Sequence, residues 1–309
     1  MKILFVSSGN NKLHNSIVLN QADSISETDA TILIEHYRII GKGFLGYLKN
    51  LRSLRKKVKV FKPDIIHSHY SLSGFLAVLS CSNTPIVASL MGSDVQRKGF
   101  WKKTLLVFSK YWKAIIVKSS DMKIKCGIES AVIIPNGVNF SSYANLEKVN
   151  ARKILKLDQS KRIILFLADP NRPEKNFKLA EEAYEKIKSN DAQLSVVYNV
   201  PHNETSKYYY ASDVVFLSST YEGSPNVIKE AMACNKAIVT TKVGDVELLL
   251  NGLDGCFVCQ HDSEELSRAL LKALSYRTPT LGRERLKELG LDSSTISKKI
   301  ISIYKNILN

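Results

Sequence analysis

The 309-residue sequence predicts an α/β protein built as two doubly wound parallel-sheet domains facing each other across a cleft. Three observations predict it. The length suits two domains of roughly 150 residues. Short β-branched runs alternate with amphipathic stretches, as when helices cover both faces of a parallel sheet. Midway, Asn136-Gly137-Val138 is a turn signal, and the chain then stays polar to about Leu157, which reads as a linker. The expected division is 1–150, 151–292 and 293–309, the last being an amphipathic segment, Ser294–Leu308, with no strand after it.

In the first half the strands are expected at Ile3–Ser7, Thr31–Tyr37, Ile65–His69, Ile86–Leu90, Ile115–Lys118 and Val132–Pro135. Helices are expected at Leu45–Val60, Leu72–Ser80 and Trp101–Trp112. In the second half, strands Ile163–Leu167, Leu194–Tyr198, Val214–Leu217, Ala237–Thr240 and Gly255–Val258 alternate with helices Phe177–Ser189, Asn226–Cys234, Asp245–Leu250 and Glu264–Leu274. No internal repeat competes with this order.

Hydrophobic residues at 44% and charged residues at 24% exclude wholesale disorder. The net charge of +15 is uneven: residues 1–150 hold 21 basic and 9 acidic side chains, so the positive field belongs to the first half. Five scattered cysteines suit a reducing compartment, and Cys256-x-x-Cys259, lacking a second ligand pair, reads as buried strand rather than zinc site. The apolar start is too short for a signal peptide, and no stretch approaches the ~20 apolar residues that span a bilayer, so a cytoplasmic location is expected.

Gly41-Lys42-Gly43-Phe44-Leu45-Gly46 matches a dinucleotide-binding pattern but follows the second strand without the acidic residue that pattern needs, so it reads as a turn before a helix. More informative is Ser218 to Ala233. A strand ends, a polar loop carries Glu222 and Gly223, and Ser224-Pro225 supplies an N-cap and a first-turn proline for a helix. Its unpaired amides and positive dipole end sit at the carboxyl edge of a parallel sheet, where phosphate binds. Glu230, on the second turn, could accept hydrogen bonds from two vicinal hydroxyls or could be a solvated helix residue.

Together, Glu222-Gly-Ser-Pro and Glu230-Ala-Met-Ala resemble the EX7E motif of family 4 retaining glycosyltransferases. Asp64 to His69, Gly92-Ser93-Asp94-Val95, Ile134 to Val138 and Pro173-Glu174-Lys175-Asn176 fall in the order that family shows. The resemblance implies the GT-B fold: two Rossmann-like domains, acceptor in the first, nucleotide-sugar donor in the second, and a final helix returning to the first. It implies that Glu230 holds the ribose, that Glu222 holds the donor sugar, and that Gly223, Ser224, Pro225, Asn226 and Val227 line the sugar and phosphates. Lys175 would neutralise the diphosphate as the glycosidic bond breaks. Arg172 would assist, although Pro170 occupies the family's usual arginine place.

On the acceptor side the resemblance points to Gly9 and Asn10 in the first loop, which continues to Asn11, and to His69, Met91 and Asp94. Met91-Gly92 stands where many relatives have His-Gly. His67 and His69 are read as pointing to opposite faces of their strand. No Asp-x-Asp pair exists, so no metal and no cofactor is expected beyond the nucleotide-sugar substrate. The expected acceptor is a glycan or a polyprenyl-linked glycan of a surface polysaccharide.

Within Lys98–Lys113, aromatic side chains interleave with lysines, the composition of an interfacial helix, which points to peripheral contact with an anionic membrane and not to nucleic acid. Two alternatives stay open: another GT-B nucleotide-sugar enzyme such as an epimerase, and a non-catalytic polyanion-binding protein.

Overall fold

The computed structural model describes residues 1–10, 16–80, 83–187 and 191–309. Asn11 and Ser189, named above, and Cys81, one of the five cysteines, lie outside them. The chain divides into two compact units, Met1–Gly137 with Ser293–Asn309, and Val138–Asp292. Each holds one wholly parallel sheet.

In the first unit the strands are β1 (Lys2–Ser8), β2 (Leu33–Ile39), β3 (Ile65–His69), β4 (Ile86–Ser89), β5 (Ala114–Val117) and β6 (Val132–Ile133), ordered β2-β1-β3-β4-β5-β6. In the second they are β7 (Arg162–Leu167), β8 (Ala192–Val197), β9 (Val214–Leu217), β10 (Ala237–Thr241) and β11 (Cys256–Cys259), ordered β11-β10-β9-β7-β8. Both orders reverse beside the unit's first strand, between β1 and β3 and between β7 and β9. Such a switch point opens a crevice at the carboxyl ends of the strands, where ligands bind in doubly wound sheets. Strands buried on both faces read as unbroken apolar runs, and the observed strands fall within a few residues of those expected.

The helices differ more. Leu45–Val60 is two helices, Gly43–Leu48 and Leu51–Phe61, because the Asn50 side chain donates to the carbonyls of Ile40 and Gly46 at the break. The stretch read as a linker is structured: Phe140–Tyr143 forms a 3₁₀ turn and Lys148–Leu155 a helix, with Tyr143, Ala151 and Arg152 buried in the second unit. The units therefore part at Gly137 rather than at 150. Val138 and Asp292 pair as an isolated parallel bridge, so the two points where the chain passes between units are neighbours. The final helix, Ser293–Leu308, packs on Ser16–Thr28 of the first unit.

The Gly41–Gly46 turn is steric in origin. A Cβ on Gly41, whose φ is +126°, would stand 2.8 Å from the Gly46 carbonyl oxygen. The cysteine strand is also plain: burial pushes the Cys256 and Cys259 thiols up to about 12 and about 11, which keeps them protonated.

His67 and His69 share a face, as residues two apart in a strand must. Their rings stack at 4.4 Å, and Tyr304 of the final helix hydrogen-bonds His67 Nδ1 while Ser89 Oγ lies 2.8 Å from its Nε2. Burial, with the Lys118 charge, holds His67 down at about 3; burial, His67, Lys118 and His36 hold His69 well below the ordinary value. A histidine depressed in the folded state contributes its full stability above the unfolded pKa of ~6.5 and loses it as pH falls toward the folded value. The first unit should therefore weaken below pH 6.5 by up to ~1.4 kcal/mol per pH unit for each histidine, and His67→Gln should shallow that slope. Both tryptophans lie in this unit, so denaturant titration followed by tryptophan fluorescence at pH 7 and pH 5 checks it. Equal slopes in the two proteins would refute the assignment.

Candidate active site

In the second unit the loops after β7 and β9 meet at the switch point. The β7 loop ends in a 3₁₀ turn, Pro173–Lys175, and Asn176 follows with φ +48°. Thr220 N–H donates to the Glu174 carbonyl at 2.9 Å, and Ser218 Oγ donates to the carbonyls of Lys175 and Asn176. The two loops are thereby sewn together. Lys175 Nζ reaches Glu222 Oε1 at 2.6 Å, and Ser219 Oγ donates to the same oxygen at 2.9 Å. Both charged side chains are largely buried, at 11% and 18% exposure. Two residues separated by 47 positions thus form one charged pair at the crevice.

The helix Asn226–Ala233 begins four residues after Glu222. Pro225 is its N-cap, not Ser224, and no side chain caps it; the amides of a helix's first turn are the groups that bind anions. The loop before it is backed by Gly244, whose φ is +55° and whose Cβ would lie 2.8 Å from the Gly223 carbonyl oxygen. Only glycine permits that approach.

Glu230 is buried, and its carboxylate is held from two sides. Tyr209 Oη donates to Oε2 at 2.7 Å, and His202 Nε2 lies 3.0 Å from Oε1. Arg172 is spent on Glu174, its Nε 2.8 Å from Oε1. Sequence reasoning missed Ser218, Ser219, His202 and Tyr209, because each acts on a partner distant in sequence or set by loop geometry. His261 Nε2, 2.9 Å from the Ser219 carbonyl, joins them.

The first unit brings its expected residues to the corresponding crevice differently. Gly9 N–H donates to the Ile39 carbonyl, and the Asn10 side chain binds Gly41 at both N–H and carbonyl, at 2.8 and 2.7 Å. Asn10 thus clamps the Gly41 turn. Asp94 is buried and accepts from the amides of Ser71, Met91 and Gly92, which shapes the loop carrying Met91. Burial raises its pKa against those three bonds. His69 is buried, and its Nε2 meets no hydrogen-bond partner among the described residues.

A pocket of about 630 Å³ opens at the amino edge of the second sheet, lined in part by Lys148, Lys236 and Arg283. Its cations serve helix ends: Lys236 donates to the carbonyls of Tyr210 and Ser212, and Arg283 to those of Ala233 and Tyr143. It is remote in the sheet from the Lys175–Glu222 pair and carries no arrangement for chemistry.

A family model described as Glycosyltransferase Family 4 matches residues 12–142, and one described as Glycosyl transferases group 1 matches residues 178–276. Among relatives, TuaC of Bacillus subtilis, a glycosyltransferase named for teichuronic acid biosynthesis, is 26% identical over 241 residues. That match takes in 68% of this chain but only 61% of TuaC. A UDP-Gal:α-D-GlcNAc-diphosphoundecaprenol α-1,3-galactosyltransferase of Escherichia coli is 24% identical, over 83% of this chain and 78% of that protein. Among solved structures, the sucrose-phosphate synthase of Thermosynechococcus elongatus superposes with a TM-score of 0.81 at 16% identity, covering 99% of each chain. Anabaena HepE, solved with UDP and glucose, superposes at 0.79 and 16% identity, covering 99% of this chain and all of that one. Two parallel sheets with matching switch points, a charged pair on the second and family models on both halves agree: the chain belongs to glycosyltransferase family 4, the glycosyl transferases group 1, and has the GT-B fold.

Proposed function

We propose that the chain transfers a sugar, with retention and without a metal ion, from a nucleoside-diphosphate sugar to a glycan or polyprenyl-linked acceptor in surface-polysaccharide assembly. The observation that carries this is the Lys175–Glu222 contact at the switch point, on the loop that leads into a helix start without a side-chain cap and in the same unit as Glu230. A diphosphate lying on the helix amides would meet the Lys175 ammonium, and the ribose hydroxyls would bond Glu230. As the anomeric carbon–oxygen bond to the diphosphate breaks, charge grows on the leaving oxygen and Lys175 stabilises it. The acceptor oxygen forms its bond on the same face, and its proton passes to the departing phosphate. No protein nucleophile is needed in that sequence. UDP in the HepE structures and the lipid-diphosphate acceptor in the name of the Escherichia coli relative support the substrate classes.

Thermal-shift screening against nucleotide sugars should give a donor hit worth about 2.7 kcal/mol at 100 times its dissociation constant. With that donor, NMR should show a product of unchanged anomeric configuration, formed equally in EDTA. Inversion, or loss of activity restored by Mg²⁺, would contradict the reading.

The acceptor class also suggests peripheral membrane contact through the helix Phe100–Ser109 and its flanks. Trp101 and Phe108 pack inward on the core and Trp112 is buried. The side chains presented outward are Phe100, Val107 and Tyr111, at 76%, 55% and 63% exposure, among Lys102, Lys103, Lys110 and Lys113. No helix among the described residues is long and apolar enough to cross a membrane. Liposome sedimentation should show binding to anionic but not zwitterionic vesicles, weakening as the Debye length shrinks from ~10 Å at 0.1 M to ~3 Å at 1 M salt. No binding at low salt would leave this face a solvated surface.

A further inference from the structure

We propose that His202 and Tyr209 orient the Glu230 carboxylate toward a vicinal diol, and thereby make this chain prefer ribonucleotides to their 2′-deoxy forms. The inference rests on the reading of Glu230 as the ribose acceptor. Three separate elements converge on this carboxylate. His202 comes from the turn after β8, Tyr209 from the helix Thr205–Ala211, and Glu230 from the helix after β9.

A carboxylate has about four acceptor positions. Tyr209 takes one on Oε2 and His202 one on Oε1, which leaves acceptor capacity on both oxygens, the demand of two neighbouring hydroxyls. Both donors are themselves fixed. Burial, then the Glu230 charge, raises Tyr209 well above the ordinary phenol range, so its hydroxyl keeps its proton. The bond to Glu230 raises His202, against partial burial, which favours a proton on Nε2. Thr205 Oγ1 donates to the His202 carbonyl at 2.7 Å, and the Tyr143 ring stands edge-on to both His202 and Tyr209. The Glu230 side chain keeps 11% exposure, enough for a ligand hydroxyl to reach it while the carboxylate cannot swing away. Without the two donors the carboxylate would be free to rotate, and each hydroxyl bond would cost ordering entropy at binding.

Calorimetry on the full chain with UDP, 2′-deoxy-UDP, GDP and 2′-deoxy-GDP tests this, with inorganic pyrophosphate as a diol-free control. The wild type should prefer a ribo form by about tenfold or more, the worth of a charge-assisted bond. Tyr209→Phe and His202→Ala should each reduce that ratio to below about threefold, and His202→Gln, which keeps a side-chain N–H, should restore most of it. Pyrophosphate affinity should hold in all of them. Loss of affinity for every probe, pyrophosphate included, would make both residues merely structural and overturn the proposal. Unchanged ratios in the His202 and Tyr209 variants, with the preference lost in Glu230→Gln, would also overturn it while leaving the ribose reading intact. A preference that survives Glu230→Gln would overturn the ribose reading itself.

Discussion

Lys175→Ala will lower kcat by about 100- to 1,000-fold, the usual cost of removing one donor aimed at developing charge, equivalent to ~2.7–4 kcal/mol. Affinity for the free nucleoside diphosphate should fall far less. The ammonium meets a ground-state diphosphate whose charge is spread over two phosphates, and its contact strengthens only as the bond to the sugar breaks. The loop should survive the change, because Glu222 Oε1 keeps the Ser219 hydroxyl at 2.9 Å and Thr220 keeps its bond to the Glu174 carbonyl. Lys175→Arg should recover only part of the rate, since a planar fork replaces a point charge. Pre-steady-state turnover alongside calorimetry separates the two effects. Equal losses in affinity and kcat/KM with kcat intact would show that Lys175 binds without catalysing.

Arg152→Ala will destabilise the second unit by ~3–5 kcal/mol, the range for breaking a buried charge pair. The side chain is 2% exposed, and its guanidinium joins three elements. Nε donates to the Ala211 carbonyl, Nη1 to those of Asp158 and Gln159, and Nη2 to Asp213 Oδ2 at 2.8 Å. Alanine removes the guanidinium from the carbonyls of Ala211, Asp158 and Gln159, leaves Asp213 with only the Ile163 N–H and the more exposed Lys148, and opens a cavity under the helix Lys148–Leu155. At roughly 2–4 °C per kcal/mol for a unit of this size, the transition should drop by on the order of 10 °C by calorimetry. A drop of under 2 °C would mean that water replaces the guanidinium at little cost.

The strands were legible because parallel strands buried on both faces leave unbroken β-branched runs such as Ile163–Leu167. The polar stretch after Val138 was not: Arg152 looks like a solvated charge, and only its partners at 211 and 213 show that it is a core residue. Ser16–Thr28 has polar residues around most of its circumference, so no periodicity announced it. The donor loop was legible because Glu222 to Glu230 is a local motif. Its supports were not, since Ser218 serves the loop 43 residues earlier and His202 reaches Glu230 across 28. In Lys98–Lys113 composition alone mixed two faces: Trp101 and Phe108 belong to the core, and Phe100 and Tyr111 to the surface.

The proposed transfer requires the second unit to activate a nucleoside-diphosphate sugar for an acceptor. The measurement that meets it most directly is release of nucleoside diphosphate from the donor found by screening, with and without a polyprenyl-diphosphate glycan acceptor. Release should be slow from donor alone and strongly stimulated by acceptor, with a glycosylated product in equal amount and loss of that stimulation in Lys175→Ala. An epimerised sugar formed without acceptor, or no turnover beside tight polyanion binding, would contradict the proposed transfer.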